Sequence, residues 1–358
     1  MQKTMRRRLM VGTSIGVLAM SLAAASQGPT AGALAQTAAP RRRATPLEPI
    51  SAILEAFRTH SVVALGEGPH NNLQGHAFRL ALIRDPKFAA SVNDIVVESG
   101  SARFQDVMDG FVRGADVPDA VLREVWEDST APNPVWDRPI YEEFFRVVRT
   151  VNASLPRDRQ IRVLLGDPPI DWGTLRTAQD YQSWLGFQRD SYPAKLIGRE
   201  VVARQRRALV IYGDGHLQAK SERPGKSLAG MLETDGTKVF TITSTFADLR
   251  QLQPDVASWR VPSLALLGGT VIGAAPYEFF FGPAPPVDYF RANPRVEDHF
   301  DAVLFLGAPS SMTLAGLSYP RCADPAYIEM RVTRMVLTGS APTVADRLAK
   351  ECAAAAPR

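Results

Sequence analysis

Six short, nearly continuous apolar runs recur along the chain, and each closes on a polar residue or a glycine. They are "SVVALGE" (61–67), "DIVVES" (94–99), "IRVLLGD" (161–167), "ALVIYGD" (208–214), "KVFTITS" (238–244) and "DAVLFLG" (301–307). Runs of this length, rich in Val, Ile and Leu, predict strands buried on both faces, as in a parallel sheet. Between them the pattern changes to helical spacing. "ISAILEAFRTH" (50–60) precedes the first run and "NLQGHAFRLALIRDP" (72–86) follows it. "ARFQDVMDGFVRG" and "DAVLREVWEDS" follow the second, "RPIYEEFFRVVRTVNASL" leads into the third, and 177–207 leads into the fourth. Strands alternating with helices predict an α/β fold with a mainly parallel central sheet flanked by helices.

The N-terminal segment has a different pattern. Lys3, Arg6, Arg7 and Arg8 form a basic region, Leu9 to Ala25 a short apolar one, and Ala33 to Ala35 an A-x-A site before Gln36. This predicts a signal peptide over 1–35, read by the Sec pathway or, through its adjacent arginines, the twin-arginine pathway. The mature protein is then expected in the periplasm or outside the cell, with no stable membrane span. Residues 36–49, polar and proline-containing, are expected to be a flexible leader. Residues 50–358 are expected to form a single α/β domain. Its segment 261–295, rich in Gly, Pro and aromatic residues, is expected to be a partly ordered loop or lid.

Charge and cysteine content narrow the function. The chain carries 41 basic and 37 acidic side chains. Without the four basic residues of the signal region, 37 basic face 37 acidic, so nothing global points to nucleic acid. The two cysteines, Cys322 and Cys352, are too few for a thiolate metal cluster. In an exported chain they are expected to pair and tie down the last helix.

Candidate chemistry collects where the apolar runs end. Glu67 and His70 follow the first run and Glu98 ends the second. Asp167 ends the third, and Asp214 and His216 follow the fourth. Capping would account for any one of them. Parallel strands, however, bring their carboxyl ends to one edge, where ligand sites form, so the joint placement predicts a shared site. Imidazole serves as a general base near neutral pH or as a metal ligand, and an adjacent carboxylate fixes its tautomer. His70, Glu67, His216 and Glu98 are the candidate catalytic groups, with Asp167, Asp214 and His76 in support. They could activate a water directly or through a divalent ion held by His70, His216 and Glu98, and the residues leave both mechanisms open. His76, on the helix after the first run, is placed equally well at the site edge or facing solvent. His60 and His299 are expected to be structural, and Trp126, Trp136 and Trp172 are expected to pack in the core. Past the expected signal peptide, whose Gly12 to Gly16 matches G-x-S-x-G only in a segment to be removed, there is no G-x-S-x-G, P-loop or H-E-x-x-H motif.

Together "GEGPHNNLQGH", "VVESGS", "GDPPIDW" and "YGDGH" resemble the erythromycin esterase-like/ChaN-like superfamily, which includes the TIKI proteases. The resemblance runs from about Val62 to Ser244, with a weaker echo at "FDAVLFLGAPSSMT". The Glu67-x-x-His70 spacing resembles the esterase branch. There the matching histidine is implied to activate water with the glutamate supporting it, His216 and Glu98 matching further family positions. The later His76, "FQDVMDGFVRG" and "VIYGDGHLQAKSERPGKSLAGML" look more like the ChaN branch, whose members are exported and for some of which haem binding is implied. The resemblance thus implies a hydrolase of esters or amides acting on a small molecule or peptide. Its alternative is a haem- or iron-binding protein without catalysis. The cofactor left open is a divalent metal or haem.

Overall fold

Each of the six runs forms a strand, and a seventh strand lies between the fifth and the last. The strands are β1 (Val62–Gly66), β2 (Asp94–Ser101), β3 (Arg162–Asp167), β4 (Ala208–Tyr212), β5 (Val239–Thr245), β6 (Ser263–Leu266) and β7 (Ala302–Phe305). The computed structural model describes residues 40–185, 188–218, 227–282, 294–339 and 343–355, so the expected signal peptide lies outside the described residues. The sheet runs in the order β3-β2-β4-β1-β5-β7-β6. All neighbouring pairs are parallel except β6 on β7.

The near-continuous apolar runs have two cores to fill. Val63 and Leu65 of β1 enter one core, with Phe57, Phe78, Phe88 and Phe145, while Val62 and Ala64 enter the other, with Leu196, Ile197, Leu228 and Phe300. β2 and β4 divide the same way, Ile95, Val97, Leu209 and Ile211 facing one core and Val96, Ala208 and Val210 the other. Successive side chains of a strand point to opposite faces, so a central strand with helices on both sides must be apolar at every position. Each fully buried Val, Leu or Ile contributes roughly 1.5–3 kcal/mol relative to exposure.

Two expectations change. The 261–295 segment contains an ordered edge strand, β6, and a short helix, Tyr277–Phe281, while its residues 283–293 lie outside those described. β6 is four residues long, sits among Pro and Gly, and has Leu266 facing solvent, so its apolar signal is weak. The expected leader is also fixed from Arg41 onward. Leu47 exchanges two backbone hydrogen bonds with Leu264 of β6 (2.7 and 3.1 Å). Buried Ala44 bonds through both its amide and its carbonyl to the Gln253 side chain (2.8 and 2.9 Å). This strip covers the open edge of the sheet, where unpaired backbone would otherwise face water.

At the C-terminus lie the helices Tyr319–Cys322, Pro325–Leu337 and Thr343–Ala355, the first and last joined by a Cys322–Cys352 disulfide with Cα atoms 5.1 Å apart. Among the described residues, no helix is long and apolar enough to cross a membrane.

Candidate active site

β2, β4, β1 and β5 are consecutive in the sheet, so their carboxyl ends form one continuous edge. At that edge lies a cleft of about 600 Å³ lined by His70, Glu98, Arg189, Asp214, His216 and Ser244, among others. Phe246, Phe280, Phe281 and Met312 supply an apolar wall.

The turn after β1 is built to present Glu67 and His70. Asn72 caps the helix Leu73–Arg84 by accepting from the Gly75 amide (2.6 Å), and its own amide donates back to the carbonyls of Glu67 (2.8 Å) and Pro69 (2.6 Å). One side chain thus fixes both the helix start and the loop before it. Two glycines let the loop close. A side chain on Gly66 would lie 2.0 Å from the Asp214 carboxylate. Gly68 has φ of 65°, in the left-handed region that glycine favours, and donates its amide to Asp214 (2.8 Å).

Buried Glu67 accepts a hydrogen bond from Nδ1 of His70 (2.7 Å) and is paired with buried Arg79 (3.3 Å). Burial opposes ionisation of Glu67, but Arg79 and His70 hold its pKa below the ordinary value. With Nδ1 committed, Nε2 of His70 is left on the cleft side, beside Gly213. The ring is about one-third exposed. Burial works against its protonation, yet the bond to Glu67 and the charges of Glu67, Glu98 and Asp214 raise its pKa above that of ordinary imidazole.

A second group lies beside it, also around Gly213. Glu98 accepts from the Gly213 amide (2.7 Å) and from Arg189 (2.8 Å), and faces Nε2 of His216 (3.3 Å). His216 reaches Asp190 through Nδ1 (2.8 Å), and Asp190 also accepts from the Leu228 amide (2.8 Å). Burial disfavours charge on both partners, but His216, His70 and Arg189 hold Glu98 well below the carboxylate range. Glu98 and Asp190 push His216 up to about 10, so it is an imidazolium at neutral pH.

The remaining candidates divide. Asp214 joins the site: burial raises its pKa to about 6, against the Gly68 amide and His70, which lower it. Asp167 does not line the cleft. It is turned away to accept from the amide (2.6 Å) and hydroxyl (2.5 Å) of Thr130, and burial raises it to about 7. His76 also stays out of the cleft; it is buried against Glu143 (2.9 Å), and burial lowers its pKa. His60 and Phe240 form a ring contact at the opposite end of the sheet, and buried His299 packs on Tyr277. Trp126 stacks on Phe145 and Trp172 on Tyr181. Trp136 is buried too, but its ring meets that of His70 at 4.8 Å, edge to face.

The sequence left open a metal held by His70, His216 and Glu98. Among the described residues, no three His, Cys, Asp or Glu side chains are arranged to hold a metal ion. Both nitrogens of His216 face carboxylates, and Glu98 is occupied by an amide, a guanidinium and an imidazolium. A metal ligand must be a neutral imidazole with a free lone pair, which His216 cannot offer here.

Three site residues were not legible as such. Arg189 and Asp190 come from the helix Gln188–Ile197, away from any strand end. Arg79 carried a faint signal, an arginine within the buried stripe Gly75, Phe78, Leu82 and Ile83 of its helix.

No protein-family model matches the chain, and neither does any curated protein. Solved structures similar to it include a Bacillus cereus protein, 11% identical, with a TM-score of 0.51 over 76% of this chain and 96% of that one. They also include both branches that the motifs resemble. The erythromycin esterase EreC, in an open conformation, is 14% identical with a TM-score of 0.47 over 75% of this chain and 94% of that one. ChaN of Campylobacter jejuni, with cofacial haem, is 13% identical with a TM-score of 0.35 over 56% of this chain and 88% of that one. The Bacillus cereus structure shows a common fold. What the cleft does must be argued from its own groups.

Proposed function

We propose that the protein is an exported hydrolase that cleaves an ester or amide with a water activated by His70. The observation that carries this is the Glu67–His70 pair. One imidazole nitrogen is held at 2.7 Å by a buried, ionised carboxylate, while the ring stands at an open cleft. Such a pair fixes the tautomer and leaves Nε2 as the proton acceptor. Nε2 removes a proton from water as the oxygen attacks the carbonyl carbon. It then returns that proton to the leaving oxygen or nitrogen as the tetrahedral species collapses. Arg189 uses one nitrogen on Glu98, and its side chain is 42% exposed at the cleft, where it can meet the developing oxyanion. The imidazolium of His216 adds fixed positive charge on the same side. Phe246, Phe280, Phe281 and Met312 suit a substrate with an apolar part.

Structural neighbours include an esterase and a haem-binding protein. The cleft's own groups favour the first. Both nitrogens of His216 face carboxylates, and the free Nε2 of His70 lies beside Gly213 and the Glu98 carboxylate, a polar setting that suits a proton acceptor. The test is a panel of chromogenic esters and peptide amides, assayed with and without a chelator, alongside a haem titration. Hydrolysis that survives the chelator and falls at least about 100-fold in His70→Ala is expected, with no new Soret band. A strong Soret band without hydrolysis would overturn the reading, and full activity in His70→Ala would overturn the site. Export is checked by the first residue of protein recovered from outside the cytoplasm, expected to be Gln36; a chain still starting at Met1 would contradict it.

A further inference from the structure

The segment between the helices Asp119–Glu127 and Pro139–Ala153 is gripped from two sides. On one side Thr130 is bound by Asp167, and its carbonyl accepts from the Tyr181 hydroxyl (3.0 Å). On the other side the C-terminal helices hold it. Arg331 forks onto Asp137 (2.7 and 2.5 Å), and the Tyr327 hydroxyl donates to the same carboxylate (2.5 Å). Arg321 forks onto Glu127 (2.8 and 2.8 Å), and Arg334 donates to the Glu127 carbonyl (2.8 Å). Arg331 and Asp137 are both buried, so this fork is a fixed geometric constraint rather than a loose surface pair. Next to Asp137 in the chain, Trp136 projects its ring onto His70 at 4.8 Å, with Tyr141 at 5.1 Å also edge-on to it.

We propose that Trp136 is a positioning residue for His70, and that the disulfide-closed C-terminal helices set where Trp136 stands. The described residues give His70 one side-chain hydrogen bond, through Nδ1 to Glu67. A ring held at one atom can swing about that bond. A buried indole packed perpendicular to the imidazole removes this freedom, and the fork on Asp137 keeps the indole from moving away. The C-terminal helices, remote from the cleft in sequence, thereby become working parts of the site. The catalytic consequence rests on the hydrolase reading above; the geometric one does not.

The test uses the mature full-length protein and three readouts: the carbon-bound ring-proton NMR signals of His70, kcat with KM, and the thermal midpoint. The His70 signals are assigned by their loss in His70→Ala. Trp136→Ala is expected to move them and to lower kcat by about tenfold or more with KM within about twofold. Trp136→Phe, which keeps an aromatic ring, is expected to restore most of both. Arg331→Met is expected to move the His70 signals in the same direction with Trp136 intact. Should that variant not fold, Cys352→Ser loosens the same helices and carries the same expectation. His70 signals unmoved in Trp136→Ala would overturn the proposal, and unmoved signals in a folded Arg331→Met or Cys352→Ser would overturn its C-terminal half. A lack of hydrolysis in every form would sink the hydrolase reading alone, because the NMR signals still report the position of His70.

Discussion

Glu98 and His216 carry opposite charges in a place where neither charge would survive alone. Glu98 receives an amide, a guanidinium and an imidazolium, and His216 lies between two carboxylates. Each is shifted by the other, so the two shifts describe one interaction and are not added. The pH dependence follows from their signs. The pKa of His216 rises from 6.5 to about 10, so its contribution to stability is full below pH 6.5 and is lost as pH rises towards 10. Glu98 is depressed from 4.5, so its contribution is full above that value and is lost as pH falls through the depressed pKa. Asp167 and Asp214, raised to about 7 and about 6, have lost most of their proton above neutral pH. Denaturant midpoints between about pH 7.5 and 9.5 should therefore fall steadily in the native chain and much less in His216→Gln, by a few kcal/mol of lost stability. Equal slopes in the two proteins would show that His216 is not held as an imidazolium. Activity should move the other way on its acid limb. His70 acts as a base only when neutral, so the rate should climb through a pKa above 6.5.

At the scale of elements, the strand ends explain how much of the site could be read in advance. Glu67, Glu98, Asp214 and His216 each close an apolar run, and parallel topology brings those ends together whatever their separation in sequence. The same logic placed Asp167 correctly at the edge but said nothing about the direction of its side chain, which Thr130 takes. Arg189 and Asp190 were hidden because a helix, docked by tertiary packing, carries them to the edge. β6 was hidden because it is only four residues long, opens on a serine and ends on an exposed leucine, which is too short for a clear buried run. The C-terminal pairing was legible from the cysteine count and the compartment that the N-terminal pattern leads one to expect, and its effect can be measured. The Cys322–Cys352 bridge spans a sequence separation of 30, for which loop entropy gives roughly 3–4 kcal/mol of stabilisation. Cys352→Ser should lower the unfolding free energy by about that amount, read by denaturant titration under non-reducing conditions. An unchanged value would mean that the helices hold the hairpin without the covalent link.

For the whole molecule, the decisive feature is the edge of the sheet. β6 ends the sheet, and the strip from Arg41 to Leu47 lies along it: Arg42 forms a bridge with Thr270, Leu47 pairs with Leu264, and Arg41 is ion-paired with Glu297. Processing after Ala35 would keep this strip. A chain beginning at Glu48 would lack it while keeping the cap that Glu48 supplies to the helix Pro49–Ala56. Two consequences follow from the loss. Gln253, 2% exposed, would lose both of its bonds to Ala44, and each buried polar group left unpaired costs about 1–3 kcal/mol. The backbone of β6 would also become an open edge, able to pair with another copy. The shortened chain should therefore unfold at a lower denaturant concentration than the chain beginning at Gln36. It should also elute from a sizing column at volumes that shrink with concentration. Equal stability and a concentration-independent elution volume in both forms would show that the strip is an ornament of the edge. The expected pair of results would make residues 41–47 the last strand-like piece of the sheet and fix how far N-terminal processing can go before the fold fails.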